Sequence, residues 1–146
     1  NAKNVPENLK GLRTMFLSFH HFQPKNAKMI LQNAINSNQP IAVLEIQDRS
    51  LPSIVAMLLS PVSVLFTTPF IRPFRWSRLF FTYLIPIVPF VVLWDGIVSA
   101  LRTYTVEEMR NLINSLENNT AFEWNFNKKK SKTGFVIYTI GIPKKQ

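Results

Sequence analysis

The sequence predicts an α/β fold, the second half of an open sheet with an antiparallel strand near its end. Three observations carry this. Residues 13–46 read as strand, helix and strand. Residues 105–142 read as a helix followed by two strands. Between them lies an apolar block of 44 residues, Leu51 to Trp94, expected to be largely helical.

The first strand is Arg13 to Phe19, a short apolar run that ends at His20-His21-Phe22 and reads as buried. Pro24 stands where a first helical turn tolerates it. Ala27, Ile30, Leu31, Ala34 and Ile35 repeat at helical spacing, so Pro24 to about Asn38 reads as an amphipathic helix. Ile41 to Ile46 is a second buried strand, opened by Pro40 and closed at Gln47-Asp48-Arg49. The short crossover implies parallel, right-handed pairing of the two strands.

Beyond the block, Thr105 and Glu108 form a capping box. Val106, Met109, Leu112, Ile113 and Leu116 line one face of the helix that follows. Asn118-Asn119 stops it. Phe122, Trp124 and Phe126 alternate along a strand over Ala121 to Asn127. Lys128 to Gly134 reads as a polar turn, and Phe135 to Ile142 as the strand that closes an antiparallel hairpin. The expected division is 1–50 and 99–146 as parts of one domain, with 51–98 inserted.

Composition bounds the function. The chain has 146 residues, 47% apolar, enough for one cored domain. Its net charge of +9 favours an anionic partner or solvated surface lysines. It has no cysteine, which removes disulfides, thiol catalysis and thiolate metal sites and fits a cytoplasmic setting. Asn1 to Lys10 is polar and reads as a loop between two elements. The apolar first strand is therefore expected to be covered by sequence upstream, a missing N-terminal half of about a hundred residues.

The element order, with RTMFLSFHHF at one strand end and RPFRWSRLF inside the apolar insertion, resembles the C-terminal half of a class I S-adenosylmethionine-dependent methyltransferase. Within that family it is similar to an uncharacterised bacterial group with the same two features. The resemblance runs from Asn1 to about Pro143, and the insertion motif is its more specific part. It implies a Rossmann-like sheet, S-adenosylmethionine as cofactor and a small, lipophilic methyl acceptor. Two departures stand beside it. The four glycines, Gly11, Gly96, Gly134 and Gly141, form no Gly-rich loop. The family's Asp-Ala pair falls on Asn1-Ala2, whose amide oxygen can still accept a hydrogen bond. Cofactor binding by this chain alone is expected to be weak or absent.

Candidate site residues follow from the strand ends, where open α/β sheets bind ligands. His20 or His21 is the candidate general base, at most one of them, because neighbours on a strand point to opposite faces. The bland alternative has one packed under the loop and the other capping the Pro24 helix. Ser18 and Phe19, with Asn1 and Ala2, are the cofactor-side candidates. Phe22, Glu45, Trp94, Asp95, Arg102 and Tyr104 are the acceptor-pocket candidates. Glu45 is the one acid in an apolar run, with an ion pair to Arg49 as its alternative. Asp95 and Arg102 are seven apart on a helix, which favours a salt bridge anchoring the insertion. No metal site is expected.

The apolar block has three readings: a transmembrane hairpin, a re-entrant or in-plane membrane element, or a lid over an apolar pocket. Leu51 to Ile71 holds 21 uncharged residues, enough to span a bilayer, and Leu79 to Trp94 holds 16, which is short. Six prolines punctuate the block. Carrying Arg72, Arg75 and Arg78 across opposes the positive-inside bias. That points to a monotopic or re-entrant element on an anionic membrane's inner face, with those arginines and Trp76 at headgroup level. A buried lid or homodimer surface is the alternative. Lys128, Lys129, Lys130 and Lys132 could contact phosphates, but no nucleic-acid-reading motif accompanies them.

Overall fold

In the computed structural model, residues 1–6, 8–131 and 134–145 are described. The chain divides into two units, Asn1–Asp48 with Arg102–Gln146, and Arg49–Leu101.

The first unit is a mixed α/β domain. Its elements are β1 (Arg13–Phe16), α1 (Pro24–Asn36), β2 (Ile41–Glu45), then α6 (Val106–Asn114), β3 (Phe122–Ser131) and β4 (Gly134–Pro143). The sheet order is β1-β2-β4-β3. β1 and β2 are parallel, as the short crossover requires. β4 runs antiparallel to both β2 and β3, so the last strand fills the gap between them. Ile41, Val43 and Glu45 lie in register with Gly141, Thr139 and Ile137 of β4. One sheet face therefore carries Ile41 and Val43, and these pack with Ala27, Ile30, Leu31, Ala34 and Ile35 of α1 and with Met109 and Ile113 of α6.

Local signals act as expected in the helices. Pro24 occupies the first turn of α1, where its missing N–H costs nothing. Glu108 N–H donates to Thr105 Oγ1 at 3.1 Å, and Thr105 N–H donates to Glu108 Oε2 at 2.9 Å, closing the capping box of α6. Phe122 is buried and Trp124 and Phe126 pack beside it, which is the alternation read in β3.

Three expectations are corrected. β1 ends at Phe16, not Phe19, because Leu17 takes a left-handed backbone (φ 49°) and residues Phe19–His21 form a 3₁₀ turn. β1 is also a half-buried edge strand: Phe16 and Leu17 are exposed. Lys128, Lys129 and Lys130 lie on β3, not in a turn, because the hairpin ladder continues to Ser131↔Gly134. Lys132 lies outside the described residues.

The second unit is helical: α2 (Leu51–Leu58), α3 (Ser60–Thr67), α4 (Trp76–Leu79) and α5 (Ile87–Arg102), with a 3₁₀ turn at Thr68–Phe70 and a π-helical turn at Phe80–Leu84. Pro52 and Pro61 sit in first helical turns, so α2 and α3 continue one another as a 20-residue apolar helix, Leu51–Phe70. The return segment bends by 75° between Trp76–Leu84 and Ile87–Arg102, around Ile85-Pro86. Met57 packs against Gly96, where an added Cβ would meet its sulfur at 2.8 Å. Tyr83 donates to the Leu65 carbonyl and Arg78 Nη1 donates to the Ile71 carbonyl, so the two legs are joined along their length.

Candidate functional site

The ends of β1 and β2 lie side by side, and each delivers polar groups there. Glu45 is the last residue of β2 and is 4% exposed. Its Oε1 accepts from the Phe19 N–H at 2.7 Å and from the His20 N–H at 3.2 Å. Its Oε2 lies 2.8 Å from His20 Nδ1. A buried carboxylate with three donors has little capacity to spare. The arrangement assigns the ring proton to Nδ1 and leaves Nε2 as the nitrogen able to accept a proton.

The turn that sets this geometry begins at Leu17. Its left-handed backbone reverses the chain after β1, so Phe19 and His20 direct successive N–H groups at one carboxylate oxygen. A β-type chain would have sent these N–H groups to opposite sides. His20 is buried, while His21 is exposed with its ring centroid 4.2 Å from that of His20. The two histidines therefore lie side by side on a 3₁₀ turn, their ring planes tilted by 41°, which corrects their placement on opposite faces of a strand. The N-cap of α1 is Gln23, without a side-chain cap bond, so neither histidine caps that helix.

Tyr104 joins the same region. Its hydroxyl donates to the Phe22 carbonyl at 2.7 Å, and its ring lies 5.4 Å from that of Phe19. Thus His20, Phe22, Glu45 and Tyr104 are brought together, as are the Phe19 and Ser18 backbones. The Phe19 side chain is fully buried in the core, so its ring offers no face to a ligand. Glu45 is engaged by His20 and the turn, and its side chain is nearly fully buried.

The other candidates lie elsewhere. Ala2 packs on the core, and Val5 N–H donates to Asn33 Oδ1 of α1. Asn1 Oδ1 accepts from the Lys3 N–H at 3.2 Å, so this oxygen closes its own turn. Trp94 and Asp95 belong to the helical unit, where they line a groove of about 580 Å³ with Ile85, Pro86, Ile87, Phe90 and Val91. Asp95 and Arg102 both lie on α5, and both side chains are exposed. Arg72, Arg75 and Trp76 are exposed at the turn between the legs.

Sequence reading missed a second pair. Asp48, 5% exposed, is salt-bridged to Lys128 of β3, whose ammonium also lies 4.1 Å from the Phe135 ring centroid. The available signal was weak: an acid just after a buried strand. At the other end of β1, burial lowers the Arg13 guanidinium below its ordinary range, and its Nη1 donates to Asn33 Oδ1 at 2.7 Å.

No set of three His, Cys, Asp or Glu side chains gathers at metal-binding distance among the described residues. The chain matches no protein-family model, no curated protein and no solved structure.

Proposed function

We propose that this chain is the acceptor-side half of an S-adenosylmethionine-dependent methyltransferase that works on a small lipophilic molecule beside a membrane. The observation that carries this reading is the His20–Glu45 pair at the carboxyl ends of two parallel strands, where open α/β sheets gather their ligands. The reversed strand β4 between β2 and β3 supports it, because the resemblance implies a parallel sheet closed by an antiparallel hairpin.

The residues present do not make a cofactor site by themselves. No Gly-rich loop follows a strand, the Asn1 oxygen is engaged by Lys3, and the Phe19 ring is in the core. The cofactor is assigned to a further part of the protein that pairs along the apolar edge of β1, where Leu12, Phe16 and Leu17 are exposed. What this chain contributes is confined to the acceptor. Glu45 holds the imidazole by Nδ1–H, and Nε2 takes a proton from an acceptor hydroxyl or amine as that atom becomes the nucleophile. Tyr104 fixes the Phe22 backbone beside it.

Calorimetric titration of S-adenosylmethionine into the protein at its native length tests the reading. Micromolar binding supports it, and a flat titration removes it. This chain alone is expected to bind weakly or not at all.

A second reading has its own observation. The exposed apolar surface of the helical unit favours a non-catalytic, membrane-associated binding module on the same fold. Native-length protein that co-floats with vesicles but ignores S-adenosylmethionine would favour it.

A further inference from the structure

The helical unit presents to its surroundings a surface that water does not stabilise. Leu51, Phe66, Phe70, Trp76, Phe90 and Trp94 are each at least 70% exposed. Only 6% of the Leu51–Phe70 helix window is buried, at a mean hydropathy of 1.8. No acid occurs between Asp48 and Asp95. A patch of this extent marks a surface that works against another apolar phase.

We propose that residues 51–101 enter the hydrocarbon of a phospholipid bilayer as a closed helical hairpin, with the Arg72–Arg78 turn among the phosphates of the far leaflet. This rests on the membrane part of the function proposed above and not on methyl transfer. Four observations choose this occupant. The first leg, Leu51–Phe70, has 20 residues, about 30 Å at the helical rise, which matches the hydrocarbon thickness. Its exposed positions, among them Val55, Leu58, Leu59 and Val62, carry no charge, whereas a helix lying in the interface needs a strongly polar face.

Four hydroxyls along the legs are satisfied internally, as a medium without water demands, while Ser60 Oγ of α3 is buried without a partner among the described residues. Thr67 donates to the Ser63 carbonyl, Thr68 to Val64 and Thr82 to Arg78, each at 2.7 Å, and Tyr83 donates to Leu65. The glycine at position 96 lets α5 approach Met57 of α2 closely, a device common where helices pair in lipid.

The turn supplies the charge complementarity. Arg72, Arg75 and Arg78 follow the end of the first leg within eight residues, with Phe74 and Trp76 edge to face at 5.2 Å between centroids. Arginines interleaved with aromatic rings suit the phosphate and glycerol layer. Three cations at the tip oppose the positive-inside bias locally. However, 13 of the 17 lysines and arginines belong to the α/β unit, so the larger positive charge stays on the entry side.

The chain has no cysteine, so one introduced thiol reports one position. Phe74→Cys and Lys144→Cys are each mixed with phosphatidylethanolamine–phosphatidylglycerol vesicles and treated with a membrane-impermeant maleimide. The expected result is co-flotation that survives high salt, rapid labelling at position 144, and labelling at position 74 at least tenfold slower until detergent is added. Phe66→Lys, on an exposed position, should cut co-flotation on the order of tenfold or more while leaving the far-ultraviolet spectrum unchanged.

Equal labelling at both positions on floated protein overturns the crossing. Absence of co-flotation overturns bilayer insertion altogether. A discrete lipid-free dimer that protects position 74 replaces the bilayer with a second copy and also overturns it. Loss of S-adenosylmethionine binding moves none of these readouts, so the methyl-transfer reading fails separately.

Discussion

His20 and Glu45, 25 residues apart in sequence, are joined at 2.8 Å between Nδ1 and Oε2 in a site where both side chains are nearly fully buried. The same carboxylate takes the backbone N–H groups of Phe19 and His20. Glu45→Ala leaves three donors without their acceptor and should cost about 3–5 kcal/mol of folding stability. Glu45→Gln keeps one oxygen acceptor and should cost about 1–3 kcal/mol. Urea unfolding of both variants measures this. A double-mutant cycle with His20→Ala should show coupling above about 1 kcal/mol; additive losses would mean that the pair is only a neighbourhood.

Leu17 holds a left-handed backbone that leucine adopts at a cost of about 1–3 kcal/mol. Its side chain is nearly half exposed, so little packing is at stake. Leu17→Asn should raise the thermal midpoint, with a gain of about 0.5–1 kcal/mol, because asparagine tolerates this region better. A lower midpoint would show that the leucine side chain holds the turn by contacts.

Lys128 and Lys129 are neighbours on β3, but only Lys128 meets Asp48 and the Phe135 ring. Lys128→Met should destabilise by about 1–2 kcal/mol, a modest figure because the ammonium is about one-third exposed. Lys129→Met should change stability by less than about 0.5 kcal/mol. Equal effects in denaturant melts would deny the pair any special weight.

Gly141 of β4 lies under the indole of Trp124, and a Cβ there would come within 2.5 Å of the ring. The ring cannot swing away freely, since Trp124 Nε1 donates to the Asn119 carbonyl at 3.1 Å. Gly141→Ala should therefore cost about 1–3 kcal/mol through overpacking, together with a change in tryptophan emission. An unchanged melt and spectrum would mean that the indole yields easily.

Much of the architecture was legible because it rests on local periodicity. Ala27 to Ile35 repeat at helical spacing, Phe122, Trp124 and Phe126 alternate, and the Thr105–Glu108 box announces its own helix. The site was legible only as a set of residue types. Nothing local says that Glu45 turns to His20, because that contact depends on the parallel pairing of β1 with β2. The left-handed Leu17 was hidden for a similar reason: its sequence, Phe-Leu-Ser, reads as strand, and tertiary bonds override that preference. Asp48 and Lys128 meet across 80 residues, and the lysine run resembled a turn until β4 extended the ladder under it.

The position of β4 carries a consequence for biosynthesis. As the last strand of the sheet in chain order, it is bonded on both sides, so β2 lacks one neighbour until residue 143 has left the ribosome. The hairpin at 51–101 emerges some forty residues earlier, a lead on the order of 2–8 s at ordinary elongation rates. For that interval the nascent chain displays its greasiest segment without a finished sheet to carry it. Its early fate is then set by whichever surface or chaperone first captures the hairpin during translation.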